Sequence, residues 1–143
     1  LAIVQFNKQD VFQDVFVDNG VLSNGQHAVL FVVPQNLPLF TDYAVDFCVS
    51  DTLADAVAWF KSISLHQESK LFNRSTGRAG LEGLRYALEG VLRLKTLLSP
   101  GDRIIISPSD GKRLRAYAWL QKYGFIRQGG HYLYRAPKEV KEA

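Results

Sequence analysis

Apolar residues recur along this chain with two different periods. Val11, Phe12, Val15, Phe16 and Val17 precede Asp18-Asn19-Gly20, and a second apolar run covers Ala28 to Val33. Between them lies Asn24-Gly25, a dipeptide whose residues tolerate positive φ, so the stretch predicts an antiparallel hairpin. Pro34 and Pro38 punctuate a loop, after which Tyr43, Val45, Phe47 and Val49 alternate with small or polar residues as in a third strand. The period then changes. Leu53, Ala56, Val57 and Phe60 fall on one helical face behind Asp51 or Thr52 as cap, and this helix ends near Ser64. Leu81, Leu84, Leu88, Val91, Leu92 and Leu94 mark a longer helix that stops at Ser99-Pro100-Gly101. Ile104-Ile105-Ile106 is a β-branched run typical of a strand buried on both faces. A helix from Ser109 or Asp110 to Gly124 and a last strand from His131 to Arg135 follow. Strands first, then helix, strand, helix and strand, predict an α/β (α+β) domain built on a mixed sheet.

At 143 residues and 47% hydrophobic composition the chain has the size and apolar content of one domain, 1–143. No run approaches the roughly 20 apolar residues of a membrane-spanning helix, so no membrane partner is expected. One cysteine, Cys48, forbids an internal disulfide, and three scattered histidines do not make a metal site, which sets a reducing, cytoplasmic location as the expectation. Leu1 at the start and the lack of methionine point to an excised or trimmed stretch of a longer chain. Charge is divided unevenly. Residues 1–69 hold two bases against eight acids, a net −6, whereas residues 70–143 hold fifteen bases against six acids, a net +9. A field of that sign attracts phosphates, whether of a nucleic acid or of a phosphorylated cofactor.

The stretch with the most chemistry is Asn73-Arg74-Ser75-Thr76-Gly77-Arg78-Ala79-Gly80-Leu81, directly before the long helix. A glycine-bearing polar turn feeding a helix start turns backbone N–H groups outward into the positive end of the helix dipole, a setting suited to a pyrophosphate. Alternatively Gly77, Gly80 and Gly83 serve close packing on the sheet, with Arg74 and Arg78 simply solvated.

These residues resemble the acetyl-CoA loop of the GNAT acetyltransferase superfamily: Arg or Gln, two residues, Gly, one residue, then Gly or Ala, here Arg74-Ser75-Thr76-Gly77-Arg78-Ala79. The stretch Ile104 to Phe125 is similar to the family's strand, loop and helix ending in an aromatic, glycine and phenylalanine, here Tyr123-Gly124-Phe125. The resemblance covers about residues 74–134. It implies a largely antiparallel sheet flanked by helices, with one parallel pair at the cofactor site. It also implies acetyl-CoA as co-substrate, its pyrophosphate cradled by Arg74, Ser75, Thr76, Gly77, Arg78, Ala79 and Gly80, and its pantetheine arm lying where the parallel strands part. Arg103–Ser107 is one of those strands; the other is either a short strand near Ser62–His66 or Tyr43–Val49 with a helix inserted before the loop. Leu120 stands where family members often place a tyrosine, so Tyr117, one turn earlier, is the candidate proton donor, unless it and Tyr123 pack with Trp119 and Phe125 in the core. Glu68 is the candidate base, with His66 and Asp46 beside it by position, and Cys48 reads as a core thiol. The function implied is N-acyl transfer from a CoA thioester to an amine, with a nucleic acid or a protein as candidate carriers of that amine. The alternatives are a nucleic-acid-binding or nucleic-acid-modifying protein using Lys112, Arg113, Arg115, Lys122 and Arg127, and a GNAT-shaped interaction module without catalysis.

Overall fold

The computed structural model describes residues 2–8, 11–64, 80–107 and 117–138. Its strands are β1 (Ala2–Lys8), β2 (Val11–Val21), β3 (His27–Asn36), β4 (Thr41–Ser50), β5 (Arg103–Ile106), β6 (Ile126–Gln128) and β7 (His131–Arg135). Helices α1 (Leu53–Ser64) and α2 (Gly80–Thr96) and a 3-10 segment (Ala118–Tyr123) complete the described elements. The strands form a mixed α+β sheet in the order β1-β2-β3-β4-β5-β7-β6. Connections as short as those after β2 and β3 allow only antiparallel neighbours, whereas β4 and β5, joined through α2, run parallel. β7 is antiparallel to both β5 and β6.

The chain divides into two compact units, residues 1–31 with 47–91 and residues 32–46 with 92–143. In the first, the β2–β3 turn closes through Leu22 N–H to Gln26 O (2.7 Å) and Gly25 N–H to Leu22 O (2.9 Å), with Gly25 at φ 85°. Thr52 supplies the cap of α1, its Oγ1 accepting from Asp55 N at 3.1 Å, while Asp51 accepts from Gln26 Nε2 instead. Phe60 of α1 stacks on Phe31 of β3, ring centroids 4.4 Å apart and planes 8° off parallel. Leu22, Ala28 and Val49 form a second buried group against which Phe47 and Tyr86 pack.

In the second unit, Ile104, Ile106, Tyr132, Leu120 and Phe125 are buried. Asp102 organises its loops. Oδ1 accepts from Thr41 N (2.8 Å), Oδ2 from Ser99 N (3.0 Å), and its own carbonyl from Ala136 N (2.8 Å). Three chain segments therefore converge on one carboxylate residue that is only 5% exposed.

Asp18, Asn19 and Gly20 belong to the end of β2; a Cβ at Gly20 would run into the Tyr86 ring, so this glycine serves close approach of that ring. Three expectations change. Pro34 lies inside β3 rather than opening a loop. Of the two strands expected beside β5, Ser62–Ser64 belong to α1 instead, Leu65 and His66 lie outside the described residues, and the residues paired with β5 are Asp42–Val45, within the Tyr43–Val49 alternative. The expected last helix is, over its described part, a turn and a 3-10 segment whose Leu120 N–H bonds Tyr117 O (3.0 Å) and whose Gly124 N–H bonds Gln121 O (3.3 Å). Gly124 at φ 91° ends it, because a left-handed residue there redirects the chain and lets Phe125 N–H return to Leu120 O. Residues 108–116 lie outside the described residues. No described helix is long and apolar enough to cross a membrane.

Candidate functional site

The parallel ladder is short and its ends are informative. Asp42, Tyr43, Ala44 and Val45 pair with Arg103, Ile104, Ile105 and Ile106, and there the ladder stops while β4 runs on to Ser50. At the entry end Arg103 makes a two-pronged contact with Asp42, Nε to Oδ1 and Nη2 to Oδ2, both 2.6 Å. The planar guanidinium fork matches the carboxylate geometry, and the Asp42 carboxylate beside it holds the Arg103 pKa above its ordinary value. Phe40 lies under the same guanidinium, 4.8 Å from its ring centroid. The Tyr43 hydroxyl is pushed up by partial burial and by the charge of Asp102.

α2 begins at Gly80, the last residue of the predicted phosphate loop. Its first turn is pinned to the β2–β3 turn by Glu82, whose Oε1 accepts from Ser23 N (2.7 Å) and Oε2 from Ser23 Oγ (2.5 Å). Those two bonds, the hydroxyl's first, and nearby Arg85 hold the Glu82 carboxyl below the ordinary range. One turn further along, Tyr86 covers the bare backbone of Gly20. A negative side chain in a helix's first turn would oppose an anionic ligand; here both carboxylate oxygens already accept hydrogen bonds.

Of the candidate site residues, Arg74, Ser75, Thr76, Gly77, Arg78, Ala79 and Glu68 lie outside the described residues. Gly80 is the first residue of α2. Tyr117 is buried, 7% exposed, at the turn that precedes the 3-10 segment, its ring edge-on to Trp119 at 6.3 Å between centroids. Burial suits both the packing role and a phenol shielded from bulk water. Cys48 is buried on β4, and no group of three metal-ligating side chains occurs among the described residues. His27 is half-buried with Nδ1 3.1 Å from Asn19 Oδ1.

Sequence reasoning missed the Asp42–Arg103 pair, the Asp102 junction and the Ser23–Glu82 clamp. The partners lie 61, 61 and 59 residues apart, and no local pattern announces a contact of that span. Family models, curated proteins and solved structures yield no match to this chain.

Proposed function

We propose that this chain is an acyl-CoA-dependent N-acyltransferase of GNAT type, transferring an acetyl or short acyl group from a CoA thioester to an amine. The observation that carries this reading is the parallel β4–β5 pair in an otherwise antiparallel sheet, joined through a helix that starts at Gly80. Ligands in α/β crossovers bind beyond the carboxyl ends of parallel strands. The register supports such a site, because pairing ends at Val45 and Ile106 while β4 continues.

The donor set suits an anionic ligand. Arg74 and Arg78 stand within six residues of the first residue of α2, and the loop N–H groups of Ser75 to Gly80 would hold a pyrophosphate. When bound, the thioester supplies the activated acyl group. The chain's own contribution is to hold the ligand beside the acceptor, which removes the entropic cost of bringing the two together. Glu68 takes the amine proton and Tyr117 holds the proton that the departing sulfur accepts.

Calorimetry with acetyl-CoA tests the reading. The parent protein binds, and a folded Gly77→Val protein binds about tenfold or more weakly because a branched side chain blocks close backbone approach to the pyrophosphate. Equal affinity in the two proteins rejects the loop assignment, and no heat with the parent rejects the function.

A further inference from the structure

Among the described residues of the unit 32–46 with 92–143, the three acids Asp42, Asp46 and Asp102 are all buried or half-buried. Asp42 is held by Arg103, and Asp102 by the backbone N–H groups of Thr41 and Ser99. Lys122, Arg127, Arg135 and Lys138 are by contrast exposed. The sequence from Gly111 to Lys138 contains seven Lys and Arg and no acid at all. The solvent-facing charge of the described part is therefore of one sign.

Residues 121–130 form an exposed ledge, broken only by buried Phe125. Tyr123 is 39% exposed and falls between the exposed Lys122 and Arg127 along the chain. β6 lies at the end of the sheet order, and all three of its residues are exposed. Gly129 and Gly130 have nothing within 4 Å of an added Cβ, so a ligand backbone can approach closely. The ledge is also held rigidly. Lys95 Nζ donates to Tyr123 O at 2.6 Å while lying 4.4 Å from the Tyr134 ring centroid, and the Phe125 ring meets the same Tyr134 at 5.4 Å. Gly124 lies 3.2 Å from Tyr134 by its missing Cβ.

We infer that this ledge is a binding surface for single-stranded nucleic acid, with Lys122 and Arg127 on phosphates and Tyr123 as a stacking platform. A cationic track with an interposed aromatic ring is the arrangement that holds single strands without sequence preference, since every base offers a π-face. Stacking on Tyr123 needs an unpaired, accessible base face, which favours the single strand over the duplex. The inference goes beyond acyl transfer and is tested without CoA.

The experiment is fluorescence anisotropy of the full chain with a labelled single-stranded oligonucleotide of about 20 nucleotides, at about 50 and about 200 mM salt. With Lys122, Arg127, Arg135 and Lys138 all engaged, affinity falls about 50-fold over that range, and in Lys122→Ala/Arg127→Ala it falls only about sevenfold. Tyr123→Ala lowers affinity at either salt by about fivefold or more with the salt slope unchanged. Circular dichroism establishes that each variant is folded; should one be unfolded, Lys122→Gln or Arg127→Gln supplies the same slope comparison, and Tyr123→Leu the same stacking comparison. No binding at low salt, an unchanged slope in the double variant, or full affinity in Tyr123→Ala overturns the inference. So does tighter binding of a duplex, or displacement by polyglutamate as effective as by unlabelled oligonucleotide. Oligonucleotide binding without acetyl-CoA binding would reject acyl transfer and leave the ledge standing; the reverse result would reject the ledge alone.

Discussion

Removing one member of the Asp42–Arg103 pair tests whether the parallel register depends on a buried charge. Asp42 is only 8% exposed in its side chain and Arg103 is 24% exposed, so the two truncations are not equivalent. Arg103→Ala leaves a buried carboxylate without its fork, a situation that costs about 3–5 kcal/mol. Asp42→Ala leaves a guanidinium that already reaches solvent and keeps its Phe40 ring at 4.8 Å, so the loss is closer to the two charge-assisted hydrogen bonds less rehydration, about 2 kcal/mol. For a domain of this size each kcal/mol moves the melting temperature by about 3–4 °C, giving a drop of about 10 °C or more for Arg103→Ala and about 6–8 °C for Asp42→Ala. The double variant lies near Asp42→Ala, the milder single variant, because no carboxylate is left unpaired, and the cycle gives a coupling energy of about 3 kcal/mol or more. Thermal unfolding at neutral pH by circular dichroism measures all three. Additive losses, or Asp42→Ala as the worse variant, would refute the claim that the carboxylate is the dependent partner.

Gly124→Ala places a Cβ 3.2 Å from Tyr134 at φ 91°, and denaturant unfolding should show a loss of about 1–3 kcal/mol, partly relieved in Gly124→Ala/Tyr134→Leu. Because the folded Glu82 pKa is lowered, its contribution is present above the unfolded carboxyl pKa and is lost as pH falls through the folded one. Ser23→Ala removes the larger cause of that shift, so the acid limb of the melting temperature against pH should flatten, and an unchanged acid limb contradicts the clamp. Tyr117→Phe should retain acetyl-CoA affinity while turnover falls about 100-fold; unchanged turnover assigns the proton to water, and loss of the fold assigns Tyr117 to the core.

The elements carried by a strong period were legible: β4 from its alternation, α2 from its leucines, β5 from three isoleucines. β1 and β6 were not. β6 is three residues long at a sheet edge, buries none of them and so carries no apolar alternation. The two Asn-Gly pairs show a different limit. Asn19-Gly20 and Asn24-Gly25 are identical dipeptides, but only Gly25 needs positive φ, whereas Gly20 needs the absence of a Cβ beneath Tyr86, a residue 66 positions away. The start of α2 was legible because a polar, glycine-bearing stretch before a leucine period is a local property; the contact that pins that helix start, Ser23 to Glu82, is not.

The charge asymmetry shows how folding changes what a count along the chain means. Split at residue 69, the sequence gives −6 and +9, yet the compact units interleave those halves. Regrouped by unit, residues 1–31 and 47–91 carry net −2, and residues 32–46 and 92–143 carry net +5. The contrast narrows on paper, because Arg74, Arg78 and Arg85 fall in the first unit while Asp42 and Asp46 fall in the second. It sharpens again at the surface. Asp42 is cancelled at close range by Arg103, and Asp102 is turned onto two backbone N–H groups. A charge paired in the interior contributes little to the field that an approaching anion meets, while exposed cations contribute within about one Debye length, ~8 Å at physiological salt. The local sign around Lys122 and Arg127 is accordingly set by the absence of acids over residues 111–138 and not by the net charge of the chain.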